Sequence, residues 1–514
     1  MSKRPVILVI LDGWGIGKKH ESNPIFTAQP KTIEQIKTLF PSGSLQASGI
    51  SVGLPWGEPG NSEAGHVTLG AGKIIYQYYP KITIAIRDGS FFINPVIGNA
   101  VLHAKKNNST LHLVGLISQN NTHSSLEHLE ALIAIAKKEG IDDRYRIHAI
   151  ADGRDSKPRS IHELLERIPG NRVASIIGRF YAMDTERRWE RVGKAYKALM
   201  GTSPVADDVA SHINKTYAKN LNDDYIDPVL IGPDNHGIKA NDAVIFFNFR
   251  GDGMEELVSA FAAPDFNKFP VEARGNLHIA TMTPYNQTFA LPAAFLPDEV
   301  HEPLAKTLQD NGKTQLKIAE APKYRHVTYF FNGLREEPFE NEYRVLVPTK
   351  GSIHIDEHPE MQIAEVTTRI VGAIEDRAFD FILANFANPD AVAHTGNYAA
   401  CVSAIEAVDN ALEKIKAVAL DKDAILIITS DHGNIERLYD PLTGIPETGH
   451  DANPVPIYLI AKEWERGRLR EEIEEGERAT SGILADVAPT ILELMNIKKP
   501  KEMTGESLLS SLVG

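Results

Sequence analysis

Cysteine is almost absent. Cys401 is the only one in 514 residues, so no intramolecular disulfide can form. That fits a reducing compartment, and the cytoplasm is the expected location. Long hydrophobic runs are absent too. The opening run, Val6 to Leu11, stops at Asp12, far short of the roughly 20 apolar residues of a membrane span. No small-residue cleavage site accompanies it, so a signal peptide is not expected either. Positive charge is in deficit. A net charge of -14 argues against nucleic acid or an anionic membrane as partner. It also means that an anionic substrate must be met by arginines gathered locally. There is no tandem repeat and no low-complexity tract. The acidic run 471–477 reads as a solvated helix face.

What is present is an ordinary globular composition, 42% hydrophobic and 24% charged. The length suits several domains of roughly 150 residues. Residues 6–11 form a continuous apolar run without alternation, which predicts a strand buried on both faces of a parallel sheet. Further strands are expected at 110–117, 146–150, 173–177, 243–249, 277–282, 381–386, 424–428 and 455–461. Between them, Leu126, Leu129, Leu132, Ile133 and Ala136 recur at helical spacing with Gly140 placed to stop the helix. Ile405, Val408, Leu412, Ile415 and Ala419 mark a second amphipathic helix. Alternating strands and helices predict an α/β fold with mostly parallel sheets. The stretch between Asp12 and Gly60 reads as loop-rich.

Ligands of open α/β sheets gather at the carboxyl ends of strands, and the polar motifs stand there. Asp12-Gly13-Trp14-Gly15 follows the first strand, Asn388-Pro389-Asp390 with His394 another, and Asp431-His432-Gly433-Asn434 a third. Asp390 and His394 are spaced i, i+4, so a helix would turn both to one face. His450 lies in a glycine-bearing loop. Ser62 sits in Gly60-Asn61-Ser62-Glu63-Ala64-Gly65-His66. A serine hydroxyl is a poor nucleophile until a base or a metal activates it. Carboxylates and imidazoles suit Mn²⁺ or Zn²⁺, and two such ions are able to clamp a phosphoryl group in transfer. Arg154, Arg179 and Arg250 each follow a different strand, and a guanidinium grips phosphate or carboxylate bidentately.

Taken in order, Leu11-Asp12-Gly13, the Ser62 heptad, Asp152-Gly153-Arg154-Asp155, Arg188-Trp189-Glu190-Arg191, Asn388-Pro389-Asp390 with His394, and Asp431-His432-Gly433-Asn434 resemble the cofactor-independent phosphoglycerate mutases of the alkaline phosphatase superfamily. The resemblance spans essentially the whole chain. It implies an alkaline-phosphatase-like three-layer α/β domain, residues 1–78 and 298–514, interrupted by an inserted transferase-like substrate-binding domain, 79–297. It implies Ser62 as the nucleophile. One divalent ion would be held by Asp12, Ser62, Asp431 and His432, and another by Asp390, His394 and His450. Mn²⁺ is the expected ion, with Zn²⁺, Co²⁺ or Mg²⁺ as alternatives, and 2,3-bisphosphoglycerate is not required. His123, Arg154, Asp155, Arg191, Arg250 and Lys323 would bind substrate, with Asp155 also moving a proton. The implied reaction interconverts 3-phosphoglycerate and 2-phosphoglycerate in glycolysis and gluconeogenesis through a phosphoserine, in a cytoplasmic monomer.

The chain departs from the family pattern at three places. Thr185 and Gly253 stand where the family has arginine, and Ser125 where it has histidine. Arg187 is the expected compensating group. These departures keep a second reading open, a metal-dependent phosphatase or a mutase of another small phosphate ester. A non-catalytic metal or sugar-phosphate binder is disfavoured, because a binder has no need of a serine placed among ligands.

Overall fold

The computed structural model describes residues 4–206, 208–232, 234, 236–272, 275–349 and 354–513. The chain divides into two compact units, one made of the residues up to Gln77 and from Asp298 on, the other of Tyr78–Pro297.

In the first unit the strands run across an eight-stranded sheet in the order Glu342–Val347, Gln315–Glu320, Phe381–Phe386, Val6–Leu11, Ile425–Thr429, Val455–Ile460, Ser42–Gln46 and Thr480–Ile483. Val455–Ile460 is antiparallel to both neighbours, and the other pairings are parallel. The unbroken apolar run of the first strand now has its reason. Ile7, Val9 and Leu11 belong to one core, shared with helices Ile363–Glu375 and Tyr398–Asp421. Val6, Leu8 and Ile10 belong to the core on the opposite face, with Leu69, Leu304, Val487 and Ile491. Both faces are dry, so neither set of alternate positions tolerates polarity.

The second unit holds a seven-stranded sheet, in the order Val205–Ala206, Val229–Ile231, Val173–Gly178, Tyr145–Ala151, Leu111–Ile117, Ala243–Phe246 and His278–Thr281. Only the Val173–Gly178 pairing with Val229–Ile231 is antiparallel among the described residues. Leu111 and Leu113 face one core and Val114 and Leu116 the other.

One expectation fails. The stretch after Asp12 is not loop-rich, because it contains helices Pro24–Ala28 and Lys31–Leu39 and the strand Ser42–Gln46. Helix Lys31–Leu39 follows Pro30, which offers no side-chain cap. Its free N–H groups at Thr32 and Ile33 are taken by the carboxylate of Asp409, at 2.9 and 3.0 Å. The cap is supplied from the far end of the chain, so no local capping signal exists to read. The acidic run does form a helix, Arg470–Arg478, with no buried residue.

Candidate active site

Three neighbouring parallel strands bring the polar motifs to one edge. Leu11 pairs with Phe386 and Ile10 with Thr429, so Asp12, the turn before Asp390, and Asp431 all leave the sheet at the same level. Asn388–Ala393 is helical and His394 continues it as the C-cap, which turns Asp390 and His394 to one side. Their side chains meet at 3.2 Å.

Ser62 is the first residue of helix Ser62–Ala71, whose N-cap is Asn61, accepting from Ala64 N–H. A helix N-terminus presents unpaired N–H groups and a partial positive charge, a setting that favours an anion. The helix is pressed against the loop that carries Asp431. A Cβ on Gly65 would lie 2.8 Å from Asp431 Cβ, so only glycine permits this approach. Ser62 Oγ is 3.1 Å from Asp12 Oδ1 and 2.9 Å from His432 Nε2. Lys323 Nζ, expected among the substrate-binding groups, donates to Ser62 Oγ at 2.7 Å, to Asp12 at 2.6 Å and to Asp390 at 2.7 Å.

The imidazoles share one arrangement. His394 Nδ1 meets Thr448 O at 2.8 Å, His450 Nδ1 meets Gly60 O at 2.8 Å, and His432 Nδ1 meets Gly433 O at 3.2 Å. A carbonyl oxygen only accepts, so Nδ1 carries a proton in each ring, and in the neutral form the Nε2 lone pair would face the centre of the cluster. His450 Nε2 is 3.4 Å from Asp390 Oδ1 and 3.3 Å from His394 Nε2. The rings of His432 and His450 stack with centroids 4.0 Å apart.

Electrostatics follow from the crowding. Burial opposes ionisation of Asp390 and Asp431, yet the facing imidazoles and Lys323 hold both carboxyls well below the usual range. Burial pulls the Lys323 ammonium down, but Asp12, Asp390 and Asp431 outweigh it and raise it. His432 is likewise lowered by burial and raised further by Asp431, Asp12 and Asp390, to about 9. Lys323 thus bridges two buried carboxylates, Asp12 and Asp390, with the Asp431 charge nearby.

The donor set fits divalent cations. Ligand atoms of Asp390, His432 and His450 lie within 4.8 Å of one another, as do those of Asp12, His66 and Asp431. Asp431 Oδ2 is 3.1 Å from His66 Nδ1, but that nitrogen meets Ser62 O at 2.8 Å. Asp431 Oδ2 and Asn434 Oδ1 are left buried without a hydrogen-bond partner, an arrangement that a cation would satisfy.

Sequence reasoning assigned no role to His66, Asn385 or Asn434. Asn385 donates to Asp12 Oδ2 at 2.7 Å and meets His66 Nε2 at 3.0 Å. Asn434 donates to Asp390 Oδ1 at 2.8 Å. The signal for Asn385 was available, since an amide inside the apolar run 381–386 needs a partner.

In the second unit, the candidate substrate groups follow strand ends. Arg179 is nearly buried. It donates to Asp152 at 2.8 Å, to Asp155 at 2.7 Å and to His123 Nε2 at 2.9 Å. Arg154 donates to Asp224, Arg191 donates to Asp184 and lies over the Phe180 ring, and Arg250 pairs with Asp252. The structure therefore joins His123 and Asp155 through Arg179 and gives Arg154, Arg191 and Arg250 separate carboxylate partners. Arg187 is exposed and lines a cavity of about 400 Å³ with Thr185, Trp189, Asp252, Glu255 and Glu256.

Comparison with known proteins extends this picture. A family model described as the metalloenzyme superfamily matches residues 4–499. The 2,3-bisphosphoglycerate-independent phosphoglycerate mutase of Clostridium botulinum strain Langeland is 43% identical, over 99% of this chain and 100% of its own. The corresponding mutase 1 of Methanosarcina barkeri is 41% identical, over 99% and 98%. Among solved structures, the Leishmania mexicana phosphoglycerate mutase at low cobalt concentration superposes with a TM-score of 0.53 at 28% identity, covering 98% of each chain.

Proposed function

Since the chain belongs to the metalloenzyme superfamily and, within it, to the 2,3-bisphosphoglycerate-independent phosphoglycerate mutases, an isomerase family, we propose that it interconverts 3-phosphoglycerate and 2-phosphoglycerate through a phosphoserine at Ser62. The observation that carries this reading is the placement of Ser62 Oγ at a helix N-terminus, within 3.1 Å of Asp12, His432 and Lys323.

In the proposed reaction, Ser62 Oγ attacks phosphorus, the Oγ–P bond forms, and the ester P–O bond of the substrate breaks. The glycerate keeps its oxygen and takes up a proton, which balances the proton that the Ser62 hydroxyl gives up on attack. It reorients and attacks the phosphoserine with its other hydroxyl, regenerating Ser62. Lys323 Nζ lies where it offsets charge on Ser62 Oγ in transit. Asp12, Ser62, Asp431 and His432 would hold one divalent cation and Asp390, His394 and His450 a second, with Mn²⁺ the ion we favour. When bound, these cations supply Lewis-acid charge that acidifies the serine hydroxyl and neutralises phosphoryl oxygens. His66 is a further candidate beside Asp12 and Asp431.

We assign catalysis to the first unit and recognition of the glycerate to the second, through His123, Arg154, Asp155, Arg191 and Arg250. Asp155 is the candidate to carry the proton between the two glycerate hydroxyls, and its 2.7 Å contact with Arg179 holds the carboxylate in place. A cytoplasmic monomer serving glycolysis and gluconeogenesis is the setting we favour. Among the described residues no helix is long and apolar enough to cross a membrane.

The test is to supply 3-phosphoglycerate without bisphosphoglycerate and to follow 2-phosphoglycerate and free phosphate together. Dominant 2-phosphoglycerate supports the mutase. Dominant phosphate supports the phosphatase reading, which the absence of arginine at Thr185 and Gly253 favours.

A further inference from the structure

Glu436 is a buried carboxylate at 1% exposure, two residues beyond the Asp431-His432-Gly433-Asn434 motif and absent from every ligand set above. Its Oε2 accepts from Gly15 N–H at 2.9 Å and from Asn434 N–H at 2.8 Å, and its Oε1 accepts from Asn453 Nδ2 at 3.1 Å. Gly15 stands three residues after Asp12, Asn434 two after His432, and Asn453 three after His450. Through the Asn434 side chain the connection reaches Asp390 Oδ1 at 2.8 Å. One carboxylate therefore fastens the three loops that carry Asp12, His432 and His450, and touches a fourth ligand at one remove.

The socket is built for it. A Cβ on Gly15 or on Gly433 would overlap Glu436 Oε1, so both glycines are needed for the carboxylate to enter. This gives Gly15 of Asp12-Gly13-Trp14-Gly15 and Gly433 of the later motif a common physical reason. A charged acceptor also suits three convergent N–H donors better than a neutral one. The carboxylate sits beside the cluster, hydrogen-bonded to Gly15, Asn434 and Asn453, with Asp451 as its charged neighbour.

We infer that Glu436 is the positioning residue of the metal centre, setting the spacing of its ligand loops and so its affinity for divalent cations. This rests on the metal reading proposed above. Residues that orient metal ligands are typically worth about 10–100-fold in affinity. The experiment is calorimetric titration of Mn²⁺ alone into the chelator-stripped full chain, wild type and Glu436→Gln, with thermal unfolding of the stripped proteins alongside. Glu436→Gln keeps the shape and removes the charge and one acceptor. The expected result is a Kd for Mn²⁺ weakened by about 10-fold or more with cooperative unfolding retained, and kcat recovering as Mn²⁺ is raised to saturation. If Glu436→Gln does not fold, Asn453→Ala serves instead, since it removes only the Oε1 contact; a weakening of several-fold is expected. An unchanged Kd in the folded variant overturns the inference, including where the melting temperature falls, because Glu436 would then serve the fold alone. Asp431→Asn separates the two levels of the argument. If it leaves both the stoichiometry and the affinity of Mn²⁺ unchanged, the metal reading itself fails; if it removes or weakens one of the two ions while Glu436→Gln weakens neither, only the role of Glu436 fails.

Discussion

The two units use charge in opposite ways. In the first, Asp12, Asp431 and His432 are fully buried, each proposed ligand imidazole is oriented by a backbone carbonyl, and one lysine bonds both Asp12 and Asp390. In the second, Arg154, Arg191 and Arg250 each pair with a separate carboxylate; Arg250–Asp252 is exposed on both sides, whereas Asp224 and Asp184 are buried beneath guanidinium groups that reach solvent. A group locked by several buried contacts cannot be exchanged without leaving other buried groups unpaired. A surface pair is worth little and is easily replaced. The three positions at which the sequence departs from the pattern that the resemblance implies, Ser125, Thr185 and Gly253, all lie in the second unit, and Ser125 and Gly253 are buried there. Gly253 is buried against the Met183 side chain, with Cε, Cβ and Cγ all near the place of a Cβ, whereas Thr185 is exposed.

The sharpest break of this contrast is Ser62→Ala. It removes the proposed phosphoryl acceptor while leaving the other seven groups of the cluster, so mutase turnover is expected to fall by about 10⁴-fold or more, read as 2-phosphoglycerate formed per second. Retained turnover would remove Ser62 from the mechanism. Metal stripping follows. Exhaustive chelation is expected to abolish turnover and Mn²⁺ to restore it. Because His394, His432 and His450 must be neutral to ligate, Mn²⁺ affinity should weaken as pH falls, measured by titration at several pH values. An affinity independent of pH would exclude the imidazoles as ligands.

A smaller effect is expected in the second unit. Burial raises Asp152, but Ser118, Arg179 and the N–H groups of Asp155 and Arg154 outweigh it and lower it to about 2. A folded-state carboxyl held below its unfolded value contributes stability above about pH 4 and loses it as pH drops towards 2. Discounted for solvent screening, Asp152→Asn should cost about 1–2 kcal/mol at neutral pH, seen by urea unfolding, with the difference closing in that acid window. A difference that persists at pH 2 would place the effect in packing.

The smallest effect concerns the missing arginines. Arg187 shares its cavity with Thr185, so Arg187→Ala is expected to raise KM for 3-phosphoglycerate about 10-fold, the worth of one charge-assisted hydrogen bond. Thr185→Arg should recover it. An unchanged KM in Arg187→Ala ends the compensation idea.

Legibility in the sequence followed the same division. The buried parallel strands announced themselves, because a strand between two dry faces has no polar positions to blur its limits. The candidate ligand motifs were visible because Asp12, Asp390 and Asp431 each stand within four residues of the end of such a strand. What escaped were partnerships between distant residues. Helix Lys31–Leu39 is capped by Asp409, and Glu436 holds Gly15. The sequence shows neither, since both depend on which loops the fold brings together. Arg179 was visible as a strand-end arginine, but its position between Asp155 and His123 was not.

The central claim is that Ser62 carries the phosphoryl group between the two hydroxyls of one glycerate. It is tested most directly by acid-quenching the Mn²⁺-loaded protein during turnover of 3-phosphoglycerate and mapping phosphate by peptide mass spectrometry. The account expects phosphate on Ser62, formed and discharged at rates compatible with turnover. Phosphate on another residue, or turnover with no phosphorylated protein at any quench time, would contradict it.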